Sequence, residues 1–168
     1  MLEAYLSVLE LTYFEVKCVF DGLQDQNVWK RPAPGLLSIG EIAGHVCYWQ
    51  ATRFSGEGGN PPDLSKCHVS SPLIDQRFSY YPGTIETQPS EQHLAMSAEH
   101  VLKEWLRVHE ESLAYFKSLN VDLAGKMPGW GDWWTYGESL KYTIFHVGYH
   151  AGQIYSVRHL LGETTPDN

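Results

Sequence analysis

Basic residues and cysteines are both scarce in this chain. Lys and Arg total 12 against 20 Asp and Glu in 168 residues, a net charge of −8 with neutral histidine. No block of like charge occurs, so the acidic excess is spread over a solvated surface. A protein that tracks nucleic-acid phosphates needs a basic face, and an anionic membrane repels an acidic one. Neither nucleic acid nor membrane is therefore an expected partner. Cys18, Cys47 and Cys67 are odd in number and lack paired spacing. That excludes a disulfide framework or a four-cysteine zinc site and points to a reducing, cytoplasmic location. The longest stretch without Asp, Glu, Lys or Arg, Tyr142–Val157, has 16 residues and contains two His and a Gln, too short and too polar to span a bilayer. Glu3 and Glu10 interrupt the first apolar pattern, and no basic start precedes it, which argues against a signal peptide. No run alternates with period two, and there is no G-x-S-x-G, P-loop or dinucleotide fingerprint.

What the chain does have is helical periodicity. Leu2, Leu6, Leu9, Tyr13, Val16, Phe20 and Leu23 recur every three or four residues, one stripe of a helix. Gln24–Leu37 reads as a connector. Ser38 and Glu41 form an S-x-x-E capping box that opens a second long helix, expected to run to about Ser55 and to stop at Gly56, Gly58 and Gly59. Residues 56–89 hold nine Pro and Gly in 34 positions, with a short helix expected from Ser71–Pro72 to about Phe78. A third long helix is expected from just after Ser90 to about Leu119, with Leu94, Ala98, Val101, Trp105, Val108 and Ser112 on its apolar stripe. Asn120–Tyr136 is a loop carrying Trp130, Trp133 and Trp134. Thr135 and Glu138 repeat the capping spacing before a fourth helix that ends at Leu161, with Gly162 as its stop. The pattern predicts one all-α domain over residues 1–168, a four-helix bundle. A connection must travel the bundle's length to join parallel helices, and only the 56–89 crossover is long enough. Helices two and three are thus expected to be parallel and the other sequential pairs antiparallel.

Eight histidines occur. His146 and His150 are four residues apart on the fourth helix, about 40° around and about 6 Å along its axis. Both fall within or at the edge of its apolar arc. This spacing lets two imidazoles reach one ion, and it is equally compatible with two hydrogen-bonded core histidines. His45, between Ile42 and Trp49 on the apolar side of the second helix, is the candidate third ligand, because bundle cores build metal sites from facing helices. His68 lies in the crossover. His93 and His100 are about 10 Å apart along one face, too far for one ion. His109, in an H-E-E sequence, reads as solvated, and His159 lies opposite the core arc. Cys47 is about 200° from His45 around the helix, so it is no co-ligand.

The stretches Ser38-Ile-Gly-Glu-Ile-Ala-Gly-His45 and His146-Val-Gly-Tyr-His150-Ala-Gly-Gln-Ile154, with Arg158 beyond, resemble the DinB/YfiT-like superfamily of four-helix-bundle metalloproteins. The resemblance covers nearly the whole chain in helix order. It implies an up-down-down-up bundle and one divalent ion, zinc or nickel foremost, held by His45, His146 and His150. Three neutral ligands leave open coordination positions, the pattern of a catalytic site. Some relatives are thiol-dependent transferases, so the first expectation is a metal-dependent enzyme that activates a low-molecular-weight thiol for transfer to a small-molecule electrophile. The alternatives are a hydrolase using metal-bound hydroxide and a non-catalytic metal- or ligand-binding bundle. Trp49, one turn beyond His45, together with Trp130, Trp133 and Trp134 forms the expected substrate-pocket wall. Phe145 and Tyr149, away from the core arc beside Gly148 and Gly152, suggest a homodimer contact on the fourth helix.

Overall fold

The computed structural model describes residues 2–56, 59, 62–79 and 88–166. Four long helices dominate: α1 (Leu2–Phe20), α3 (Ile39–Phe54), α5 (Ala98–Ser118) and α6 (Tyr136–Leu160). Two single turns, α2 (Asp25–Val28) and α4 (Glu91–Leu94), precede α3 and α5. The expected caps form. The Ser38 side chain accepts from the Glu41 backbone while the Glu41 carboxylate accepts from the Ser38 N–H at 2.9 Å. Thr135 accepts from the Glu138 N–H, although the Glu138 carboxylate turns away to Lys141 instead of closing a full box. Gly162, at φ +82°, ends α6 in the left-handed conformation that glycine adopts without strain.

Side-chain pairings fix the directions. Moving up α1, Thr12 meets Gly148, Glu15 meets Tyr155, and the Val19 carbonyl meets Arg158, so α1 and α6 are parallel. Gln50 meets His109, Phe54 meets Phe116 and Gly56 meets Leu119, so α3 and α5 are parallel too. His45 meets His146 and His150 while Gly56, at the far end of α3, meets Tyr136 at the start of α6, an antiparallel pair. The bundle is up-down-down-up, as the crossover's length predicts. Its interior is dry and aliphatic-aromatic, with Leu9, Val16, Ile42, Val46, Trp105, Val108, Leu140 and Ile154 essentially inaccessible and each such side chain contributing about 1.5–3 kcal/mol through burial.

Three local expectations change. The helix expected from Ser71–Pro72 is a turn followed by a single 3-10 turn, Gln76–Phe78, capped by Asp75. The third long helix does not start at Ser90: the chain breaks over residues 95–97 and Ser97 caps α5 afresh. At this break the Met96 carbonyl accepts from the Trp29 indole at 2.9 Å, and Met96 is buried while Leu94, expected on the core stripe, is exposed. The connector before α3 carries the α2 turn, whose Asp25 accepts from the Ala98 N–H and so ties the two turns together. Gly58, expected to help end the second helix, lies outside the described residues. Among the described residues no helix is long and apolar enough to cross a membrane.

Candidate metal centre

α3 and α6 face one another at the level of His45, and a cluster of buried imidazoles sits between them. His45, His146 and His150 are all buried, and one ring nitrogen from each lies within 4.8 Å of the others. The Nε2 atoms of His45 and His146 are 3.1 Å apart, as are those of His146 and His150. His45 Nδ1 lies 2.9 Å from the Phe78 carbonyl and His150 Nδ1 lies 2.6 Å from the Gln153 side-chain oxygen. Each of those oxygens can only accept, so Nδ1 carries the proton in both rings and Nε2 presents its lone pair to the centre. Lone pairs aimed at one another repel unless a cation lies between them. Nitrogens bound tetrahedrally at about 2.0–2.1 Å would sit a little over 3 Å apart, close to the spacing of the two pairs that share His146. The donor set and its outer hydrogen bonds thus fit a divalent ion.

The backbone explains how the rings are aimed. A Cβ on Gly44 would strike the Phe78 ring. Glycine here lets Phe78 lie directly on α3, which brings its carbonyl over His45. Gln153 is three residues beyond His150, on the same face of α6, and donates in turn to the Tyr149 hydroxyl at 3.0 Å.

The electrostatics are one-sided. Burial holds His45 well below the usual imidazole value, at about 3, with the neighbouring His150 and Arg53 adding to the fall and the Phe78 carbonyl opposing it. His150 is held at about 4 by burial, with Gln153 raising it and Arg53 lowering it. Burial, then Arg53 and the other two imidazoles, lower His146. All three are neutral at physiological pH, the state in which imidazole is a metal ligand.

Aromatic rings wall the site on its side toward the bundle end. Tyr142 stacks on His146 at 5.8 Å and Trp49 meets His45 edge-on at 6.5 Å. Trp130 packs on Trp49 and on Trp134, which in turn meets Tyr142. Of the four tryptophans expected here, Trp49, Trp130 and Trp134 belong to this wall. Trp133 does not: it is 74% exposed and touches the edge of Trp134 from outside. The Arg53 guanidinium sits over the rings of Tyr142, Trp49 and Trp130 at 4.5, 5.1 and 5.9 Å.

Residues 9–154 match the DinB superfamily. The chain belongs to this family. No curated protein matches it. As a DinB member it carries its three-histidine cluster on the two helices where the sequence resemblance expected it. Arg158, part of the resemblance motif, lies elsewhere: it is buried, bonded to Glu163 and to the Val19 and Asp21 carbonyls, and locks the end of α6 to the end of α1.

Sequence reasoning missed several neighbours of the site. Gln153 was legible from its i+3 position. Tyr142 was legible from its place one turn before His146. Phe78 carried no local signal, because it acts through its backbone, and the i+8 position of Arg53 from His45 was masked by its place at a helix end, where cations are common. The H-E-E reading of His109 as solvated is overturned. His109 is buried, stacked on Tyr13 at 3.4 Å between ring centres, with Nδ1 2.9 Å from the Gln50 amide nitrogen. His68 stacks on Tyr115 and His93 contacts the Pro72 carbonyl, both away from the cluster.

Proposed function

We propose that this DinB member is a metal-dependent enzyme that activates a low-molecular-weight thiol for transfer to a small-molecule electrophile. The observation that carries the reading is the convergence of three Nε2 atoms, two of them fixed by acceptors on Nδ1. A divalent ion held by His45, His146 and His150 would supply Lewis acidity and bring a coordinated thiol to its ionised form near neutral pH. Imidazole ligands suit zinc or nickel. The chain's own part is to hold the three rings in one tautomer, to exclude water with Trp49, Trp130, Trp134 and Tyr142, and to give an apolar electrophile a surface to lie on.

Thiol transfer is favoured over hydrolysis by what surrounds the imidazoles. The surface that meets the cluster is aromatic, with Tyr142 stacked on His146 and Trp49 edge-on to His45, and such a surface suits an organic thiol and an apolar electrophile. Three free cysteines and a thiol cosubstrate suit a reducing, cytoplasmic setting. The test starts with elemental analysis of protein purified without added metal or a metal-affinity step. Metal-loaded protein is then screened for consumption of a small thiol with an activated alkene or aryl halide. Metal-dependent thiol loss that disappears in a His146→Ala, His150→Ala double variant supports the reading. Metal-dependent ester cleavage without thiol loss replaces it with the hydrolase, and stoichiometric metal with neither activity leaves a binding bundle.

A homodimer through α6 is the second proposal. Phe145 and Tyr149 are exposed and stack on one another at 5.8 Å, and Val8 and Leu11 of the neighbouring α1 are exposed as well. Thr12 of α1 occupies the space beside Gly148, whereas nothing lies against Gly152. Exposed aromatics of this kind favour an interface. Light scattering at tens of micromolar should give a dimer that a Tyr149→Glu substitution weakens; a monomer counts against it.

A further inference from the structure

The wall of the site holds an unanswered group. Arg53 lies on α3 eight residues beyond His45 and four beyond Trp49, on the same face. Side chains on a helix lean toward its N-terminus, so Arg53 reaches back along that face toward the histidines. Only 6% of the residue is accessible. Its Nε and Nη1 are buried with no hydrogen-bond acceptor, and among the described residues no Asp or Glu forms an ion pair with it. Three aromatic faces hold the cation in place, and one of them, Tyr142, is the ring stacked on His146. A buried guanidinium without an acceptor is costly, and an ion in the three-histidine cluster would add a second uncompensated positive charge beside it. The unanswered donors extend to its neighbours: Trp130 and Trp134 also bury their indole N–H groups without an acceptor. Several unanswered donors in one wall call for an acceptor-rich anion.

We infer that Arg53 is the subsite for a carboxylate on the small molecule that reacts at the histidine cluster. The substrate is then a compact molecule with its reacting group and its carboxylate separated by a few bonds, so that one ring, Tyr142, spans the gap between His146 and the guanidinium. The carboxylate takes hydrogen bonds from Arg53, a pairing for which the planar guanidinium is suited. The apolar middle of the molecule lies along Trp49 and Tyr142. The inference rests on the proposed reaction centre for the position of the reacting group, but not for the carboxylate site itself.

Two measurements separate those dependencies. In the metal-free protein, the Arg53 Nε–H resonance, assigned through an Arg53→Met variant, is followed while 3-mercaptopropionate or its neutral amide is added. The carboxylate should shift this resonance saturably, and at a concentration about 10- to 100-fold lower than its amide, whose neutral oxygen is the weaker acceptor. In the cobalt-loaded protein, the thiolate-to-metal absorption band reports both thiols. The carboxylate should bind about 10- to 100-fold more tightly than the amide, the range of a charge-assisted hydrogen bond. Arg53→Met should erase that preference, and Arg53→Lys should restore part of it. An Nε–H signal that ignores the carboxylate, or a preference that survives Arg53→Met, overturns the subsite. A shifted Nε–H with no absorption band for either thiol keeps the subsite and removes the thiol reading of the metal centre.

Discussion

Two buried histidine groups share helix α3, and they solve opposite problems. On the face toward α6, His45 meets His146 and His150 with like atoms pointing at one another. On the face toward α1 and α5, Gln50 divides its amide between partners: its oxygen accepts from the Tyr13 hydroxyl, and its nitrogen reaches His109 Nδ1 at 2.9 Å and Ser112 Oγ at 3.2 Å. Trp105 completes that network by donating to the Tyr13 hydroxyl at 3.3 Å. In the second group donors meet acceptors, and the protein alone satisfies them. In the first the protein supplies only acceptors at the centre and donors around the rim. Burial is the same in both, so burial does not distinguish a core histidine from a ligand; the matching of donors to acceptors does.

Substitution of the cluster should have the largest effect on binding and the smallest on folding. His146→Ala or His150→Ala should each sharply reduce stoichiometric binding of zinc or nickel, and the double variant should abolish it. Ni²⁺ or Cu²⁺ should quench tryptophan emission in the wild type, with Trp49→Phe removing most of the quenching because Trp49 lies edge-on to His45. In the metal-free protein, His146→Leu should leave stability unchanged or raise it, since it removes an atom that faces others of its own kind. Undiminished binding in the double variant would break the comparison at once.

The ring-aiming contacts come next. Gly44→Ala must push Phe78 off α3, and Gln153→Ala removes the acceptor on His150. Outer hydrogen bonds of this kind are worth about 10- to 100-fold in metal affinity, so isothermal titration should show each variant weakened by that factor at unchanged stoichiometry. Equal affinities would mean that the imidazoles need no support from outside the cluster.

The two groups were not equally visible in the sequence. His45, His146 and His150 sit on well-capped helices among apolar neighbours, so their inward direction follows from those neighbours and an angle count, and the family resemblance joins the two helices. His109 is followed by two charged neighbours, Glu110 and Glu111, which hide it: the helix turns its glutamates outward and its histidine inward within three residues. The break before α5 was hidden for a related reason. Leu94 fits the period of the stripe, but Ser97 caps the next helix and the Met96 carbonyl goes to the Trp29 indole, a partner far away in sequence. Periodicity finds faces; it does not find partners.

The matched network should reverse the pattern of the cluster. Gln50→Leu takes the acceptor from the buried Tyr13 O–H and the donor from His109 Nδ1, at a cost of about 1–3 kcal/mol. Urea unfolding should show that loss, while metal stoichiometry and affinity stay at the wild-type value. A variant that folds as well as the wild type would make the network incidental.

The smallest effect is a slope. Burial, with Lys117 and Lys17 adding to it, holds folded His109 at about 3, below the ordinary value of about 6.5 that the unfolded chain regains. Between those values the unfolded state binds a proton that the folded state refuses, so stability falls as pH falls, by about 1.4 kcal/mol per pH unit for one such group. The contribution is absent above about pH 7 and stops growing below about pH 3. Replacing His109 by Gln keeps a polar partner for Gln50 and removes the titrating ring. Going from about pH 7 to about pH 5.5, the variant should therefore lose roughly 1 kcal/mol less than the wild type in urea unfolding. The same difference should appear with metal bound and without it, because His109 faces α1 and not the cluster. A difference that vanished on metal loading would couple the two faces of α3 and undo their separation.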